Sequence, residues 1–337
     1  MTNIFKNKNI LVTGGSGSIG SEIVRRVSQY EPTVVRVFSN DENGLFSLEQ
    51  ELPGYDNLRF LIGDVKDRER LRMAIEGIDV VFHAAALKHV PLCEYNPFEA
   101  VKTNVLGTQN IIEAARAEEV EKVIAISTDK AVNPVNVMGA TKLLAERLII
   151  SASHYEGERE TVFSCVRFGN VVNSRGSVVP LFRQQIARGG PVTLTDPEMT
   201  RFILPLSRAV ELVLQAAEMT KGGEIFIFKM PVLRIGDLAE VMIKELAPQY
   251  GHDPKSIEVR VIGKRAGEKT YEELLTEDET VGARETREMF IIPYQSPEKD
   301  NLKETQAVAR RYVSEEQPLL TKEEIRVLLR EVSQEPN

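Results

Sequence analysis

A glycine-rich turn near the start of the chain limits most strongly what this sequence can fold into. Residues Asn9–Thr13 have the apolar pattern of a buried strand, and a helix is predicted over residues 18–30. Gly14, Gly17 and Gly20 fall where the two meet. Glycine is needed there if the backbone must bend tightly, approach a ligand closely and let the helix pack on the strand. The turn therefore predicts that a pyrophosphate binds at the N-terminus of the helix.

Short apolar strands and helices alternate through the rest of the first half of the chain. Strands are predicted at residues 34–38, 58–63, 79–83, 122–127 and 161–168, and helices at about 67–76, 97–118 and 137–153. Strands rich in Val, Ile and Leu at this spacing indicate a parallel sheet that helices cover on both faces. We predict an α/β fold, a Rossmann-type doubly wound parallel sheet that binds NADP or NAD.

After residue 170 this regular alternation ends. Helices are predicted at about 180–188, 207–219 and 236–246, a returning strand at 224–228, and a last helix at 325–332 behind the capping box of Thr321 and Glu324. We assign residues 1–170 plus about 207–235 to the NAD(P)-binding domain. Residues from about 171–206 plus 236–337 are expected to form a smaller, interwoven α/β lobe that binds the substrate.

Composition and charge exclude several classes of protein. The net charge of -8 argues against a nucleic-acid binder that relies on phosphate neutralisation. The two cysteines, Cys93 and Cys165, have no metal-ligand spacing and suit a reducing compartment, so no metal site is predicted. The start of the chain is short and polar, and no run approaches the roughly 18 apolar residues that a membrane span needs. We therefore expect a cytoplasmic protein without a membrane segment.

Residues at the ends of the predicted strands indicate where the dinucleotide lies. The second strand ends in Ser39, Asn40 and Asp41; a hydroxyl and an amide tolerate a 2′-phosphate, which favours NADP, but Asp41 could serve a ribose and leaves NAD open. His83 is expected to be a packed core histidine. The cofactor-binding residues predicted from these patterns are Thr13, Gly14, Gly17, Ser18, Ile19, Gly20, Ser39, Asn40, Asp41, Asp64, Val65, Ala84, Ala85 and Ala86.

Several longer motifs make a resemblance specific. They include residues 84–91 (AAALKHVP), 127–130 (STDK), 168–171 (FGNV) and Met138-x-x-x-Lys142. From about residue 8 to 275 the sequence resembles the extended short-chain dehydrogenase/reductase superfamily, and within it the UDP-N-acetylglucosamine (UDP-GlcNAc) 4,6-dehydratases of polysaccharide biosynthesis. The resemblance implies a tightly bound, recycled NADP or NAD, UDP-GlcNAc as substrate, and a homo-oligomer built on dimers through the helices at 97–118 and 137–153, with a hexamer possible.

The resemblance also assigns chemical roles. A 4,6-dehydratase oxidises C4 of the sugar, removes the C5 proton, expels the 6-hydroxyl and returns the hydride to C6. The resemblance implies that Asp129 is the acid, Lys130 is the base and Thr128 is the hydrogen-bond partner of the 4-hydroxyl. It places three further residues on the cofactor side: Asn104, Ser127 and Lys142. A lysine base must be partly neutral near pH 7. We expect burial, Lys142 and an oxidised nicotinamide to lower the pKa of Lys130, with Asp129 opposing them.

Met138 departs from the superfamily pattern, which has tyrosine as the base at this position. Methionine cannot accept a proton. The branch that retains the C5 configuration resembles this sequence in having methionine there, whereas the inverting branch keeps tyrosine, so we predict a retaining dehydratase. Proton removal from the 4-hydroxyl then falls to Asp129, Thr128 or a water. An inverting dehydratase, a UDP-sugar 4-epimerase and a non-catalytic NAD(P)-binding regulatory subunit remain as alternatives.

The substrate-binding residues follow from the same resemblance. Asn170 resembles the family's substrate asparagine, and the planar guanidinium of Arg201 suits a diphosphate. Arg265 and Glu268 are expected to close over the UDP. The full predicted set is Lys88, Asn170, Val179, Val192, Thr193, Leu194, Arg201, Arg265 and Glu268.

Overall fold

Strands and helices alternate through the first half of the chain, and strands predominate between residues 259 and 313 of the described part. The computed structural model describes residues 3–153, 161–265, 267–293, 306–308 and 310–333. The strands are β1 (Asn9–Thr13), β2 (Val34–Ser39), β3 (Leu58–Ile62), β4 (Val80–His83), β5 (Lys122–Ile126), β6 (Val162–Arg167), β7 (Asn170–Val171), β8 (Val192–Leu194), β9 (Thr200–Leu204), β10 (Ile225–Phe228), β11 (Val232–Arg234), β12 (Val259–Val261), β13 (Glu273–Leu275), β14 (Arg284–Glu285), β15 (Met289–Ile292), β16 (Gln306–Ala307) and β17 (Tyr312–Val313). The helices are α1 (Ser18–Ser28), α2 (Glu42–Glu51), α3 (Arg68–Ile75), α4 (Val90–Tyr95), α5 (Pro97–Ala100), α6 (Gly107–Ala117), α7 (Val137–Ala152), α8 (Val178–Ala187), α9 (Leu206–Met219), α10 (Ile235–Leu246) and α11 (Lys322–Ser333).

A ten-stranded sheet forms the centre of the molecule, in the order β16-β14-β15-β10-β6-β5-β4-β1-β2-β3. The seven strands from β10 to β3 are parallel, and helices cover both faces: α1 packs against α9, and α3, α6 and α7 form the opposite layer. The chain leaves β3 at one edge and returns to β4 beside β1, so the order reverses between β1 and β4. Ligands of such sheets bind at this reversal, beyond the carboxyl ends of the strands. The predicted doubly wound parallel sheet is confirmed.

The carboxyl-terminal part of the chain contributes to this sheet as well as to the lobe. The apolar strand β15 pairs antiparallel with β10, and β14 and β16 extend the sheet further. This differs from our assignment of all residues from 236 onward to the substrate lobe. The physical reason is that an apolar strand beyond β10 covers an otherwise exposed edge of the central sheet.

The helix expected at residues 97–118 is more irregular than its sequence indicated. It consists of α5, a π-helical stretch at Val101–Leu106 and α6. Wide turns of this kind are rare and occur frequently at functional sites. In addition, the unpredicted helix α2 begins where the Asp41 side chain accepts a hydrogen bond from the Gly44 amide.

A smaller lobe lies beyond the carboxyl ends of the parallel strands. It contains the three-stranded sheet β11-β9-β7, the β8-β12 pair and helices α8, α10 and α11 around a hydrophobic core of its own. The capping box is confirmed, because the Thr321 amide donates to Glu324 at 2.7 Å and the Glu324 amide donates to Thr321 Oγ1 at 3.3 Å. Among the described residues, no helix combines the length and apolar character needed to cross a bilayer.

A buried ion cluster ties these parts together. Arg167, at the end of β6, is 1% exposed and pairs with Glu146 of α7 and with Glu279. Its Nη1 also donates to the carbonyl oxygen of Leu274 in β13 at 2.9 Å. Burial lowers the pKa of Arg167, but the two carboxylates outweigh that effect and raise it above its ordinary value. The guanidinium therefore stays charged and holds the sheet, α7 and β13 in one arrangement.

Removing one partner of this cluster is expected to destabilise the fold. Glu146→Ala leaves the charge of Arg167 buried and only partly compensated, so we expect the free energy of unfolding to fall by about 3–5 kcal/mol. Urea unfolding measures it as a lower midpoint at an unchanged slope. Glu31→Gln, which removes the exposed partner of Lys6, serves as the control and should leave the midpoint unchanged. A loss below about 1 kcal/mol for Glu146→Ala would contradict a stabilising role.

Candidate active site

The glycine-rich turn packs directly against the backbone that follows β4. Gly14 has φ +65°, and a Cβ there would lie 2.7 Å from the Ala85 amide nitrogen. A Cβ on Gly20 would overlap the Gly14 carbonyl oxygen. Helix α1 begins directly after this turn, and no side chain caps its N-terminus. Free amide groups and the helix dipole at such an end attract an anion, so the turn fits the pyrophosphate of a dinucleotide.

The residues at the tip of β2 are held by local hydrogen bonds. Ser39 Oγ lies 2.6 Å from Ser16 Oγ, and Asn40 donates to Asp64 at 3.1 Å. Arg175, which the sequence did not indicate, approaches this tip from the substrate lobe. Its amide donates to Ser18 Oγ at 3.0 Å and its guanidinium lies 3.4 Å from the Asp41 carboxylate. A lobe residue therefore reaches the rim of the predicted adenosine site.

His83 and Asn104 hold the floor of the predicted cofactor site. His83 Nδ1 lies 2.8 Å from Thr13 Oγ1 and Nε2 lies 3.1 Å from Thr108 Oγ1. Burial first, and the charge of Lys142 second, lower the pKa of His83 to about 3, which agrees with a packed neutral histidine. Both amide hydrogens of Asn104 are used within the protein, on the Leu87 carbonyl oxygen and Thr141 Oγ1. Asn104 therefore braces the loop after Ala84, Ala85 and Ala86 against α7.

Thr128, Asp129 and Lys130 form a connected group directly after β5. Asp129 is fully buried, and its Oδ1 accepts from Thr128 Oγ1 at 2.7 Å and from Lys130 Nζ at 3.0 Å. Asp129 Oδ2 is buried, and none of the residues that the structure describes gives it a hydrogen bond. Lys130 Nζ also lies 3.4 Å from Asn170 Oδ1, which brings the predicted substrate asparagine to the same place. An acid, a base and a hydroxyl are thus brought together at the carboxyl end of a parallel strand.

Glu272 completes this group, and sequence reasoning missed it. The residue precedes β13 and is almost completely buried, with Oε1 3.3 Å from Lys130 Nζ and 3.7 Å from Arg201 Nε. Burial lowers the pKa of Lys130, but the carboxylates of Asp129 and Glu272 together raise it above its ordinary value. The expected lowering of the Lys130 pKa is therefore wrong for this structure, because a second buried carboxylate faces the ammonium group.

Lys142 and Met138 lie on α7 in different surroundings. Lys142 Nζ donates to the Ile126 carbonyl oxygen at 2.6 Å, and burial lowers its pKa. Met138 packs in an apolar cluster with Cys93 and Ala100. It contributes packing and no proton chemistry. Ser127, predicted on the cofactor side, donates to Glu146 at 2.7 Å and so joins the Arg167 cluster.

The predicted substrate residues divide into buried supports and accessible groups. The side chains of Val179, Val192 and Leu194 pack in the core of the lobe. A contact between β8 and the uracil of the substrate would therefore come from the backbone of β8. Thr193 exchanges hydrogen bonds with Gln185. Arg201 is turned inward, where it donates to the carbonyl oxygens of residues 200, 269 and 270.

The remaining predicted substrate residues lie at the rim. Glu268 accepts from the Arg265 amide at 3.1 Å and from Thr195 Oγ1 at 3.3 Å, while the Arg265 side chain is exposed. Partial desolvation, followed by the positive charge of Arg175, lowers the pKa of Lys88.

The fold and this group of side chains define a Rossmann-type protein of the short-chain dehydrogenase/reductase class. The chain belongs to the family described as polysaccharide biosynthesis protein, whose profile matches residues 10–294. It is 59% identical to an uncharacterized membrane protein of Methanocaldococcus jannaschii, over 99% of this chain and 98% of that protein. The X-ray structure of Pen from Bacillus thuringiensis aligns with a TM-score of 0.92 at 50% identity, covering 98% of this chain and 99% of that one.

Two further relatives have names that specify an activity. A Campylobacter jejuni protein named UDP-N-acetylglucosamine 4,6-dehydratase (inverting) is 45% identical over 82% of this chain and 80% of its own length. A Rickettsia rickettsii protein named UDP-glucose 4-epimerase is 42% identical over 86% of this chain and 84% of its own length. The family thus includes proteins of two named activities on UDP-sugars.

A methyl group at Gly20 is expected to prevent dinucleotide binding. Gly20→Ala places a Cβ against the Gly14 carbonyl oxygen and displaces the turn. We expect the dissociation constant for the dinucleotide to rise at least about tenfold, which corresponds to about 1.4 kcal/mol. Calorimetric titration measures it. Gly54→Ala is the matched control, because a Cβ there meets no atom within 4 Å. Equal affinities for both variants would contradict the assignment of the turn.

Proposed function

We propose that this protein is an NAD(P)-dependent UDP-GlcNAc 4,6-dehydratase that retains the configuration at C5. The observation that carries the proposal is the contact of Asp129 and Lys130, 3.0 Å apart at the carboxyl end of β5 and beside the reversal of strand order. A 4,6-dehydratase needs an acid and a base side by side, and a simple hydride-transfer enzyme does not. The named dehydratase among the relatives supports the reaction class.

Proton transfer from the 4-hydroxyl can proceed without a tyrosine. A bound nicotinamide dinucleotide would accept the C4 hydride and supply the hydride that C6 receives. The Thr128 hydroxyl already donates to Asp129 Oδ1 at 2.7 Å. A 4-hydroxyl that donates to Thr128 can therefore pass its proton to Asp129, which becomes the acid that the departing 6-hydroxyl requires. The proton taken from the 4-hydroxyl leaves in the water that is eliminated.

Lys130 removes the C5 proton and later returns it. The new 4-ketone acidifies this proton, and the amine is held by Asp129 and Glu272. If the same group removes and returns the proton from one face of the sugar, the C5 configuration is retained. Inversion needs a second proton donor on the opposite face, and the apolar packing of Met138 supplies none. Retention is thus the outcome that these residues support best.

An inverting dehydratase is the second candidate, because the 45%-identical relative carries that name. A 4-epimerase is supported by the Rickettsia relative, but an epimerase removes no C5 proton and gives no use to Lys130. A non-catalytic regulatory subunit would not require a buried acid next to a lysine. NADP is favoured over NAD because Ser39 and Asn40, a hydroxyl and an amide, tolerate a 2′-phosphate. We further propose a cytoplasmic homo-oligomer, either a dimer or a hexamer built from dimers. Leu106 and Leu144 on the predicted contact helices expose about half of their surface and would be covered in such an assembly.

Lys130→Ala is expected to abolish turnover of UDP-GlcNAc. Without the base we expect kcat to fall by about 10²–10⁴-fold, the range typical of general acid–base groups. NMR of the product measures both turnover and the C5 configuration. Lys322→Ala, on the surface of α11, is the control and should behave as the wild type. Near-normal turnover by Lys130→Ala would contradict the proposal. A wild-type product that is inverted at C5 would favour the inverting dehydratase.

Thr128→Val is expected to interrupt the proton path from the 4-hydroxyl to Asp129. The isosteric side chain keeps the packing and removes the relay, so kcat should fall by about 10²-fold. Met138→Leu changes only the apolar cluster, at a cost below about 1.5 kcal/mol, and should leave kcat within a few-fold of wild type. Steady-state kinetics compares the two variants. A larger loss for Met138→Leu than for Thr128→Val would contradict the relay.

A further inference from the structure

We infer that Glu272 accepts the proton that Lys130 must lose before it can act as a base. This inference rests on the proposed dehydratase function, and it concerns how the base is made neutral. The ammonium group of Lys130 and Glu272 Oε1 form an ion pair at 3.3 Å, a separation short enough for a proton to pass directly between them. The side chain of Glu272 is 3% exposed, so bulk water is not its proton source.

The second oxygen of Glu272 also points to protonation. Oε2 is buried and has no hydrogen-bond partner within the described part of the chain, an arrangement that is costly for a carboxylate and cheaper for a carboxylic acid. Four charged groups face this carboxylate: Asp129 and Lys130 after β5, Arg201 of β9, and Lys269. Burial first, and then Asp129, raise the pKa of Glu272 above its ordinary value although the three cations oppose them.

The transfer removes two buried charges at once. Before it, Lys130 is an ammonium and Glu272 a carboxylate; after it, they are an amine and a carboxylic acid. Desolvation disfavours the charged pair, so a sugar that displaces water from the site shifts this equilibrium towards the neutral pair. Asp129 keeps its own position on the other side of Lys130 and is free to serve the 6-hydroxyl.

The protons balance over the whole cycle. One N–H bond of Lys130 breaks as an O–H bond forms on Glu272. The free amine then takes the C5 proton, the C5–H electron pair forms the C5–C6 double bond, and the 6-hydroxyl leaves with the proton from Asp129. When Lys130 gives its proton back to C5, Glu272 returns the stored proton to the amine. Glu272 acts through Lys130 and does not contact the sugar.

The pH profile separates this role from simple positioning of Lys130. In wild type the proton passes internally from Lys130 to Glu272. We therefore expect the kcat profile of wild type to show no acidic limb from Lys130 between about pH 6.5 and 9. Glu272→Gln keeps the shape and can still accept a hydrogen bond from Lys130 but cannot take its proton. Solvent must then deprotonate Lys130. We expect kcat at pH 7 to fall by about 10²-fold, with KM changed less than about twofold, and to rise about tenfold per pH unit.

The opposite result is expected if Glu272 only orients Lys130 and raises its pKa. Loss of the carboxylate would then lower the pKa of Lys130, and Glu272→Gln would be as active as wild type or more active at pH 7, with its acidic limb moved to lower pH. That outcome overturns the inference. The matched control is Glu273→Gln, because Glu273 is also buried but accepts a hydrogen bond from Asn133 Nδ2 and does not pair with Lys130. Its pH profile should match wild type.

A second variant keeps the test decisive if Glu272→Gln is inactive at every pH. Glu272→Asp retains a carboxylate. We expect its kcat to be at least about tenfold higher than that of Glu272→Gln, with a flat pH profile. If Glu272→Asp binds dinucleotide normally and is as inactive as Glu272→Gln, the inference is overturned. The wild-type protein tests the proposed function separately. If it makes no 4-keto product from UDP-GlcNAc, both the proposed function and the inference are wrong. If wild type is active and Glu272→Gln is unaffected, only the inference is wrong.

Discussion

The Arg167 guanidinium is the interaction on which the arrangement of the site depends. It is buried at the end of β6 and is bonded to Glu146 of α7, to Glu279 and to the Leu274 carbonyl oxygen. The first contact fixes the helix that carries Met138 and Lys142. The last one fixes β13, and with it the position of Glu272 beside Lys130. A single cation thus aligns three distant parts of the chain around the end of β5.

This dependence explains how the site combines stability with reactive chemistry. Two carboxylates and the Leu274 carbonyl oxygen together use the hydrogen-bonding groups of Arg167, so its charge is compensated and permanent. Lys130 faces two carboxylates whose outer oxygens have no hydrogen-bond partner among the described residues. The first cluster therefore holds its geometry, and the second leaves room for protons to move. The carboxylates of Glu146, Asp129 and Glu272 are all buried, and electrostatic interactions there are stronger than in water.

The sequence predicted those parts of the molecule that depend on local pattern. Gly14 and Gly20 were identified because a tight strand-to-helix turn beside a pyrophosphate needs glycine. Asp129 and Lys130 were assigned by the resemblance to the dehydratases and by their place directly after an apolar strand. Glu272 escaped because its partner Lys130 is brought to it only by the tertiary fold. The surrounding acidic residues made it one among several similar carboxylates. A buried glutamate directly ahead of the short apolar strand β13 is the signal that could have found it.

The contact of Arg175 with Ser18 has a consequence for how long a dinucleotide stays bound. Residue 175 of the substrate lobe bonds the start of α1 beside the predicted adenosine site, so this contact would oppose the release of a bound dinucleotide. An ordinary dehydrogenase would lose throughput from such a barrier, since it must exchange its coenzyme after every turnover. In a reaction that returns its hydride to the same sugar, the coenzyme is regenerated in place. Slow release then limits nothing, and the dinucleotide can behave as a fixed prosthetic group.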